Sequence, residues 1–545
     1  MSIPFRVIVC CILYSSLVNS ARILAVFSNP SYSHHQVFKR LIDALLDNGH
    51  EIVVITACPA YPKETPTNLT QIDVQDISLK IWTEEMSKTI EATENNFLEL
   101  VSETLKLFVK LSEKQFQTDQ VLKVIEDKNN KFDLIVTESL MKMNLMISDM
   151  YKLPVIEINS FGPVYADIDN MGSPVQPLLY PQTMRKRLAN LTFFEEITEL
   201  YADIYMQRLL FNQLYADSNK AMKNTLFKSA PGVEILQDNV HLLYMNTHPV
   251  WDAIRPVPLS VIYTYGIHQK PQKELPKDLS SYMNASVNGV VYVSFGTTAN
   301  KCQYSTKVQT LLSAFSRLPY DVLFKWHEDE LPGKPDNVKI SQWFPQADLL
   351  KHPKVKVFIT QCGIQSTDEA IDAGVPLIGV PLIWDQWANA ERYIIHGIGV
   401  KLDIKDITEQ QIVNAVNTVV TDNSYRTNMI KLRTLLMDSP QRPSERVVRW
   451  TQYMLRHGGA RHLRAPAANM SHAEFFEIEL FLIIFLFSTI FLLYFYILSI
   501  KYIKPSFDFT LNWLKTKIIN STEMSKKFAN RPLRSRINRI NIQRS

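Results

Sequence analysis

Short apolar runs alternate with amphipathic stretches along most of the chain. Near the start, the β-rich run Arg22–Phe27 leads through a polar loop to an amphipathic stretch, His34–Asn48, and then to a second β-rich run, Glu51–Thr56. A helix between two apolar strands forms a β-α-β unit, whose strands pair in parallel. The pattern therefore predicts an α/β fold with a doubly wound parallel sheet.

The same alternation continues for two domains. Helical periodicity covers Phe97–Asp127 and Phe193–Met222, and Phe132–Thr137 between them is an apolar run typical of a strand. Pro and Lys are concentrated in His268–Lys277, which indicates an exposed linker. A second apolar series begins near Gly289, so the length of 545 residues is divided between two cores rather than one.

The second half contains a strand, a turn and a helix in close succession. Val357–Thr360 is apolar, Gly363 lies in a tight turn, and Ile364–Ala373 has helical composition and ends at Gly374. A helix that starts beyond the carboxyl end of a parallel strand offers free backbone N–H groups and a positive dipole end to a diphosphate. Gly363 allows that group to approach the backbone closely.

Polar side chains of the same stretch suit the rest of a nucleotide sugar. Glu369 lies about a turn and a half into the predicted helix, where its carboxylate can accept hydrogen bonds from a ribose diol, and Gln365 shares its face. A further strand, Pro376–Val380, leads to Asp385 and Gln386, an acceptor and an amide suited to sugar hydroxyls. The stretch therefore predicts a nucleotide-sugar site.

The segment Phe358–Gln386 resembles the signature of the animal UDP-glycosyltransferases, often called UDP-glucuronosyltransferases. The resemblance extends through Gly289–Thr297 and Ser341–Pro353. It implies the GT-B fold, in which two Rossmann-like domains face a cleft, with the acceptor in the amino-terminal half and the donor in the other. The residues in register are Gly363, Ser366, Glu369, Pro376, Pro381, Asp385 and Gln386.

The resemblance also assigns roles to residues outside the helix. It implies that Trp343 stacks on uracil, that Gln346 bonds the edge of the base, and that Thr297 contacts the diphosphate or the sugar. Gln361 stands where most relatives have His, so it can donate to a phosphate but carries no charge. The predicted UDP-sugar-binding residues are Thr297, Trp343, Gln346, Gln361, Gly363, Gln365, Ser366, Glu369, Asp385 and Gln386.

His34 is the predicted general base. It lies in the first strand-to-helix loop, and an imidazole with a pKa near about 6.5 suits proton removal at neutral pH. In the family that it resembles, the catalytic His follows a Ser and precedes a Gly-His pair by a fixed interval, which Ser33-His34 and Gly49-His50 reproduce. His35 fits that interval one residue less well.

Glu138 is the predicted partner of the base, because a carboxylate fixes the tautomer of an imidazole and offsets its charge. The family usually has Asp after the equivalent strand, and Asp133 is the poorer alternative. Attack in a single step inverts the anomeric centre. The donor region contains no Asp-x-Asp triplet, so the sequence predicts no metal, and no cofactor other than the UDP-sugar as co-substrate.

The predicted function is an inverting transfer of a hexose from a UDP-sugar to a hydroxyl of small lipophilic acceptors, with glucose favoured. UDP-glucuronate is the alternative donor, and Arg255 is the residue that would accommodate its carboxylate. The second alternative is a noncatalytic UDP-sugar-binding membrane protein. A dinucleotide-dependent oxidoreductase is disfavoured because Phe27–His35 lacks a G-x-G-x-x-G loop.

Both ends of the chain carry targeting signals. The first twenty residues have the pattern of a secretory signal peptide, and Leu480–Ile500 has no formal charge over twenty-one residues, enough for one membrane crossing. Lys501–Ser545 carries eleven Lys or Arg against two acidic residues, which the positive-inside rule assigns to the cytosol. The body is therefore predicted to be lumenal, and the tail to touch anionic lipid rather than nucleic acid.

The sequence thus divides into seven segments. By resemblance the protein is a single-pass type I protein of the endoplasmic reticulum membrane, although it ends Ile-Gln-Arg-Ser rather than in a dilysine signal. Its oligomeric state is left open, a homo-oligomer included. The segments are a signal peptide (1–20), an acceptor-binding domain (21–267), a linker (268–286), a UDP-sugar-binding domain (287–440), a helical segment and stalk (441–479), a transmembrane helix (480–500) and a basic tail (501–545).

Acceptor motifs for N-linked glycans are expected to be used if the body is lumenal, whereas the cysteines add little to the prediction. After removal of the signal peptide an odd set of cysteines remains, Cys58, Cys302 and Cys362, without metal-ligand spacing. The glycan motifs on the predicted lumenal side begin at Asn68, Asn190, Asn284 and Asn469.

Overall fold

The computed structural model describes residues 20–61, 64–93, 96–164, 167–174, 176–206, 211–297 and 307–530. The predicted signal peptide, except for Ser20, and Cys302 lie outside the described residues. The chain forms two compact units, Met1–Asn469 and Met470–Ser545.

The first unit begins with a parallel sheet in which seven strands are described. Their order is β3-β2-β1-β4-β5-β6-β7, and every neighbouring pair is parallel. The strands are β1 (Arg22–Phe27), β2 (Glu51–Thr56), β3 (Leu69–Asp73), β4 (Leu134–Glu138), β5 (Val155–Asn159), β6 (Val240–Met245) and β7 (Val261–Tyr263).

A second parallel sheet, with six described strands, follows. Its order is β10-β9-β8-β11-β12-β13, so it repeats the arrangement of the first six strands. The α/β prediction with two doubly wound halves is therefore confirmed. The strands are β8 (Val290–Ser294), β9 (Asp321–Lys325), β10 (Val338–Ser341), β11 (Val355–Thr360), β12 (Leu377–Gly379) and β13 (Gly399–Lys401).

Helices connect the strands and cover the sheets. In the first half they are α1 (Tyr32–Asp47), α2 (Gln75–Ala92), α3 (Phe97–Gln115), α4 (Asp119–Glu126), α5 (Met146–Tyr151), α6 (Phe193–Tyr205), α7 (Phe211–Met222) and α8 (Val233–Leu236). In the second half they are α9 (Lys277–Ala285), α10 (Val308–Ser316), α11 (Gln346–Leu350), α12 (Ile364–Ala373), α13 (Gln386–Ile395), α14 (Glu409–Thr421), α15 (Asn423–Met437) and α16 (Pro443–Arg456). Then come α17 (His472–Phe475), α18 (Ile478–Leu498) and α19 (Lys504–Ala529).

Several elements have the predicted bounds, and others differ. The strands β1 and β2 and the helix α12 match the prediction, while α1 begins at Tyr32, two residues early. The stretch predicted as one helix over Phe97–Asp127 is two helices, because Thr118 is extended and Phe116 turns into the core. The predicted exposed linker, His268–Lys277, is exposed over most of its length, although His268 is buried and α9 begins at Lys277.

The strand order creates a crevice in each sheet. In the first sheet β1 lies beside β4, and in the second β8 lies beside β11. At these pairs the direction of winding reverses, so helices leave to opposite faces and open a gap at the carboxyl ends of the strands. Most predicted site residues lie at or just after the ends of these four strands, Trp343 and Gln346 follow β10, and Asp385 and Gln386 follow β12.

Helix α16 comes late in the chain but packs on the first sheet. Val447 and Met454 belong to the same buried cluster as Ile23 of β1. The hydroxyl of Tyr244, in β6, donates to the Val447 carbonyl at 3.1 Å. The segment that follows the second sheet thus completes the first.

The second unit contains the apolar helix α18. Its side chains are exposed, and of the described residues the helix that starts at Ile478 is the one long and apolar enough to cross a membrane, judged by length and composition. It coincides with the predicted membrane-spanning segment. A single apolar helix of this length indicates membrane anchoring.

Candidate active site

A cavity of about 860 Å³ opens between the carboxyl ends of the two sheets. Residues from both halves line it, as expected when two crevices face each other. Glu138 lies behind the wall and is buried. The predicted residues that line the cavity are His34, Thr297, Trp343, Gln346, Gln361, Gly363, Gln365, Ser366, Glu369, Asp385 and Gln386.

His34 and Glu138 form a hydrogen-bonded pair. Nδ1 of His34, in the first turn of α1, donates to Oε1 of Glu138, at the end of β4, over 2.6 Å. The Glu138 side chain is 1% exposed and that of His34 15%. The amide nitrogen of Asn29 also donates to Oε1 at 3.3 Å. Since Nδ1 is engaged, Nε2 is the basic nitrogen of the imidazole.

His35 has a different environment, although it is the next residue. Its Nε2 donates to the Asn29 carbonyl at 2.7 Å and its Nδ1 accepts from the Thr56 hydroxyl at 3.3 Å. Burial lowers the pKa of His35 to about 4, so the ring is neutral at physiological pH. His35 is not among the residues that line the cavity. It instead holds the loop that carries Asn29.

Gln346 connects the donor-side residues of two helices. Its Nε2 donates to Ser366 Oγ at 2.9 Å and to Glu369 Oε2 at 2.7 Å, and its Oε1 accepts from the Tyr292 hydroxyl at 3.1 Å. Burial raises the pKa of Glu369 to about 7, against the hydrogen bond from Gln346 and the charge of Lys270, which lower it. Three of the predicted site residues, Gln346, Ser366 and Glu369, thus lie together in the structure.

Trp343 presents an open aromatic face at the cavity. Its side chain is 55% exposed, while the ammonium of Lys325 lies 4.7 Å from the ring centroid. The ring of Tyr32, at the start of α1, meets it edge-on at 5.6 Å. Lys325 also donates to the Gly296 carbonyl at 3.1 Å. An exposed Trp within a concave site is suited to stacking on a planar ligand.

Two glycines leave space around Gln361. A Cβ at Gly296 would overlap the Gln361 amide nitrogen, and one at Gly363 would lie 3.2 Å from it. Gly363 is the N-cap of α12 and supplies no side-chain cap, so the first-turn N–H groups of that helix are available to a ligand. Thr297, which follows Gly296, is exposed at the cavity.

Asp385 lies at the N-cap of α13 and lines the same cavity as His34. Burial raises the pKa of Asp385 to about 6, against the hydrogen bond from Asn389 and the charge of His34. The preceding Trp384 has a left-handed backbone, φ 58°, as does Cys362 before Gly363, φ 71°. Such residues cost of order 1–3 kcal/mol and are common at functional sites.

Two of the predicted glutamines are engaged by the backbone. Gln386 Oε1 accepts from the N–H groups of Leu382 and Ile383 at 2.8 and 3.0 Å, so its NH₂ group remains for a ligand. Gln365 Nε2 donates at 2.9 Å to the carbonyl of Ser160, which follows β5 of the first sheet. Gln365 therefore links the two halves as well as lining the cavity.

Sequence reasoning missed Lys270 as a cavity residue. It lies in the Pro- and Lys-rich segment predicted to be exposed, yet it lines the cavity and its Nζ donates to Gln36 of α1 at 3.1 Å. Its charge also acts on Glu369. The only sequence signal was a Lys within a segment joining two domains, which is equally typical of a solvated linker.

The part of the cavity lined by α2 and α3 is mostly apolar and includes one buried ion group. Lys142 Nζ lies 2.8 Å from Glu157 Oε2 and 3.4 Å from Asp167 Oδ1, and the three side chains are at most 3% exposed. Ser139 donates to Asp167 at 3.0 Å. The apolar wall comes from α2, α3 and the loops that follow β4 and β5, and includes Trp82, Met86, Ile90, Leu105, Phe108, Leu140 and Phe161.

Arg255 is not placed where a glucuronate carboxylate would need it. It is 5% exposed, pairs with Asp252 at 3.3 Å and donates to the Pro181 carbonyl at 3.0 Å. It does not line the cavity, and among the described lining residues there is no arginine. The interpretation of Arg255 as a carboxylate ligand was wrong, because its short-range partners hold it in the body of the first half.

The chain matches the family model described as "UDP-glucoronosyl and UDP-glucosyl transferase" over residues 22–515. It belongs to the UDP-glycosyltransferase family. The ecdysteroid UDP-glucosyltransferase of Spodoptera littoralis nuclear polyhedrosis virus is 35% identical over 499 residues, which cover 87% of this chain and 96% of the relative. Human UDP-glucuronosyltransferase 2B17 is 27% identical and covers 82% of this chain, with 87% of its own length matched.

Solved structures agree with this family assignment at the level of the fold. A UDP-glucose:anthocyanidin 3-O-glucosyltransferase in complex with UDP superimposes with a TM-score of 0.55 over 81% of this chain and all of its own, at 16% identity. This UDP-glycosyltransferase therefore has the GT-B fold, and its sugar donor is a UDP-sugar. The predictions that transfer needs neither a metal nor a cofactor stay predictions.

Proposed function

We propose that this UDP-glycosyltransferase moves glucose from UDP-glucose to a hydroxyl of small lipophilic acceptors, with inversion at the anomeric carbon. The observation that carries the proposal is that one cavity is lined both by His34, which is backed by the buried Glu138, and by the donor-side group of Trp343, Gln346 and Glu369. A base and a nucleotide-sugar site in the same enclosure are the parts that direct displacement needs.

In the proposed mechanism His34 is the general base. The acceptor hydroxyl gives its proton to Nε2 of His34 as its oxygen attacks the anomeric carbon, and the bond from that carbon to the UDP oxygen breaks. Glu138 holds Nδ1–H at 2.6 Å and offsets the charge of the imidazolium. UDP leaves with the bonding electron pair, and the first-turn N–H groups of α12 and the amide of Gln361 stabilise its charge.

The donor would lie along the second half of the cavity. Trp343 stacks on uracil, and Gln346 bonds its edge. Glu369 accepts from the ribose diol, Ser366 and Thr297 face the ribose and diphosphate, and Asp385 with the free NH₂ group of Gln386 binds the hexose. His34 and Asp385 line the same cavity, which supports this order, since the sugar end of the donor must lie next to the base.

Glucose is favoured over glucuronate by the charges around the hexose end. A glucuronate carboxylate beside Asp385 would meet a like charge, and no arginine lines the described part of the cavity to offset it. The lysines that line it, Lys142, Lys270 and Lys325, donate to Glu157, Gln36 and the Gly296 carbonyl. A neutral hexose has no such cost. Relatives named as glucosyltransferases, including one 35% identical, point in the same direction.

The acceptor class follows from the wall opposite the donor. Aromatic and aliphatic side chains from α2 and α3 cover most of it, which suits a lipophilic body. Ser139 and Asp167 are among the polar residues of this wall, and their oxygens suit a second hydroxyl on the acceptor. Small lipophilic alcohols and phenols are therefore the proposed acceptors.

The part of the chain before α18 is proposed to be lumenal, with α18 as the anchor in the endoplasmic reticulum membrane and the basic tail in the cytosol.

Glycosylation of the Asn motifs in that part of the chain tests this topology. Asn190 and Asn284 are exposed, whereas the Asn68 amide donates to two backbone carbonyls, 2.9 and 3.3 Å away, and that of Asn469 to Asp238. Endoglycosidase should therefore shift the wild type, and N190Q/N284Q should abolish the shift while N68Q retains it. A wild type without any shift would contradict the lumenal body.

The proposed reaction is tested with full-length protein in detergent, offered UDP-glucose, UDP-glucuronate and a panel of phenols and sterols. His34→Ala should reduce transfer by at least about 1,000-fold while UDP binding, measured by calorimetry, stays within about twofold. His457→Ala, an exposed histidine outside the cavity, serves as the control. Unchanged turnover in His34→Ala would contradict the base assignment, and a preference for UDP-glucuronate the donor assignment.

A further inference from the structure

One buried amide connects the two turns that carry the donor-side residues. Nδ2 of Asn389, in α13, donates to Oδ2 of Asp385 at 2.7 Å and to the carbonyl of Cys362 at 3.0 Å. Asn389 is 1% exposed. Cys362 directly precedes Gly363 at the start of α12, and Asp385 is the N-cap of α13. The Asn389 amide thus fixes the turn at Asp385, proposed to bind the hexose, relative to the turn at Cys362, proposed to bind the diphosphate.

The other end of the same amide is held from the first half of the protein. Nε1 of Trp251, in the loop after β6, donates to Oδ1 of Asn389 at 3.2 Å. Trp251 is itself fixed: its ring stacks on that of His396 with centroids 5.4 Å apart, and its carbonyl accepts from Arg392 Nε at 2.7 Å. The indole is 4% exposed.

The hydrogen-bond donors and acceptors around the Asn389 amide allow it only one orientation. An indole N–H only donates, so it requires the oxygen of Asn389. The Cys362 carbonyl and an ionised Asp385 only accept, so both require the NH₂ group. Rotating the amide by half a turn would break all three bonds and bring oxygen against oxygen at Asp385. The Trp251 hydrogen bond therefore decides which way Asn389 faces.

We infer that Asn389 and Trp251 are positioning residues that orient the Asp385 carboxylate for hydrogen bonding to the donor sugar. The inference rests on the proposed function, in which Asp385 binds the hexose. Trp251 belongs to the half that carries His34. The orientation of Asp385, and with it the binding of the hexose, therefore depends on how the two sheets dock. The sugar is then held in its reactive position only when the base is opposite it.

A positioning role and a merely structural role predict different measurements. Loss of a structural bond lowers stability and affects UDP and UDP-glucose alike. Loss of the correct orientation of Asp385 weakens the binding of UDP-glucose but not that of UDP, because UDP has no hexose for Asp385 to bind. The comparison of KM for UDP-glucose with the inhibition constant of UDP therefore separates the two roles.

Trp251→Phe is the main variant, because it removes the indole N–H and keeps an aromatic ring. With the full-length enzyme, KM for UDP-glucose should rise about tenfold, while the inhibition constant of UDP stays within about twofold. Asn389→Asp, which places a carboxylate against Asp385, should reduce kcat/KM for UDP-glucose by about 100-fold. Trp326→Phe is the matched control: its buried indole donates to the Glu330 carbonyl outside the cavity, so both constants should stay near wild type.

The pH profile gives a second readout. The hydrogen bond from Asn389 lowers the pKa of Asp385, against the larger effect of burial, which raises it to about 6. In Trp251→Phe the amide is free to turn away, so the acidic limb of kcat/KM for UDP-glucose should move to higher pH by at least about half a unit. The other titratable or charged groups that act on Asp385 or respond to it are His34, Arg392, Cys362 and Tyr393, and all are retained in this variant.

The outcomes separate this inference from the function on which it rests. A wild type that transfers no sugar from any UDP-sugar overturns the proposed function and the inference with it. A wild type that transfers glucose, while Trp251→Phe changes UDP and UDP-glucose constants equally or leaves the acidic limb in place, overturns the inference alone. Should Asn389→Asp fail to fold, Trp251→Phe decides.

Discussion

Glu138 Oε1 accepts a 2.6 Å hydrogen bond from His34 Nδ1 across 104 residues of sequence. The two meet because β4 pairs with β1, so the loops that follow these strands are neighbours at one edge of the sheet. A carboxylate in this place requires a proton on Nδ1, and it therefore fixes the tautomer in which Nε2 is basic.

The first prediction concerns that tautomer. Glu138→Gln should lower kcat by at least about 100-fold, because the amide can donate to Nδ1 and favour the wrong tautomer and cannot offset the imidazolium charge. Glu138→Asp, which keeps the charge but is one methylene shorter, should retain more activity than Gln. Steady-state transfer to a phenol checks both, and equal rates for Gln and wild type would contradict the pairing.

Trp343 should contribute to UDP binding through its exposed face. Stacking of a base on an aromatic side chain is worth about 1–3 kcal/mol, so Trp343→Ala should weaken UDP binding about tenfold or more. Trp343→Phe keeps a smaller ring and should lose less. Calorimetry with UDP is the measurement, and unchanged affinity in Trp343→Ala would show that the base lies elsewhere.

The affinity for UDP should depend on pH through Glu369. Burial raises the pKa of Glu369 to about 7, so this carboxylate takes up a proton as the pH falls from 8 to 6. The protonated form accepts weaker hydrogen bonds from a ribose diol, so binding should weaken about fivefold over that range. Glu369→Gln should bind more weakly at pH 8 and lose this part of the pH dependence. Glu409→Gln, at an exposed position on α14, should retain it.

Lys142 should matter mainly for stability. Replacing it by Met leaves Glu157 and Asp167 buried without their cation, which should lower the free energy of unfolding by about 3–5 kcal/mol. Lys106→Met, which removes an exposed pair with Glu103, should cost less than about 1 kcal/mol. Urea unfolding of both variants, followed by Trp fluorescence, gives the comparison. Equal losses would contradict the buried ion group.

The parts of the site that could be predicted from sequence are local. The strand, turn and helix from β11 to Gly374 were predicted with nearly their observed bounds, because apolar run, glycine turn and helix follow one another within twenty residues. Short strands such as β7, β12 and β13 have three residues each, too few for a period to be detected, and only β12 was predicted. The local sequence pattern was thus enough to predict the loop and helix that follow β11, but not every strand of the two sheets.

The contacts that sequence reasoning missed depend on how the two halves dock. Gln365 was assigned to the ligand, but it also bonds Ser160 of the other half, 205 residues away. Trp251 and Asn389 are 138 residues apart, and neither belongs to a motif that was quoted for the donor. The way in which the two halves dock depends on the shapes of both folded sheets. A local sequence pattern carries no information about those shapes.

The late position of α16 has a consequence for biosynthesis. A ribosome makes the first sheet within the first 263 residues, but the helix that supplies Val447 and Met454 to its core is made only after the whole second sheet. Until then the nascent amino-terminal half exposes apolar surface that its own residues do not cover. Its maturation must therefore wait until nearly all of the first unit has been made, and a premature stop codon shortly before residue 443 would leave the first sheet, rather than the second, without part of its core.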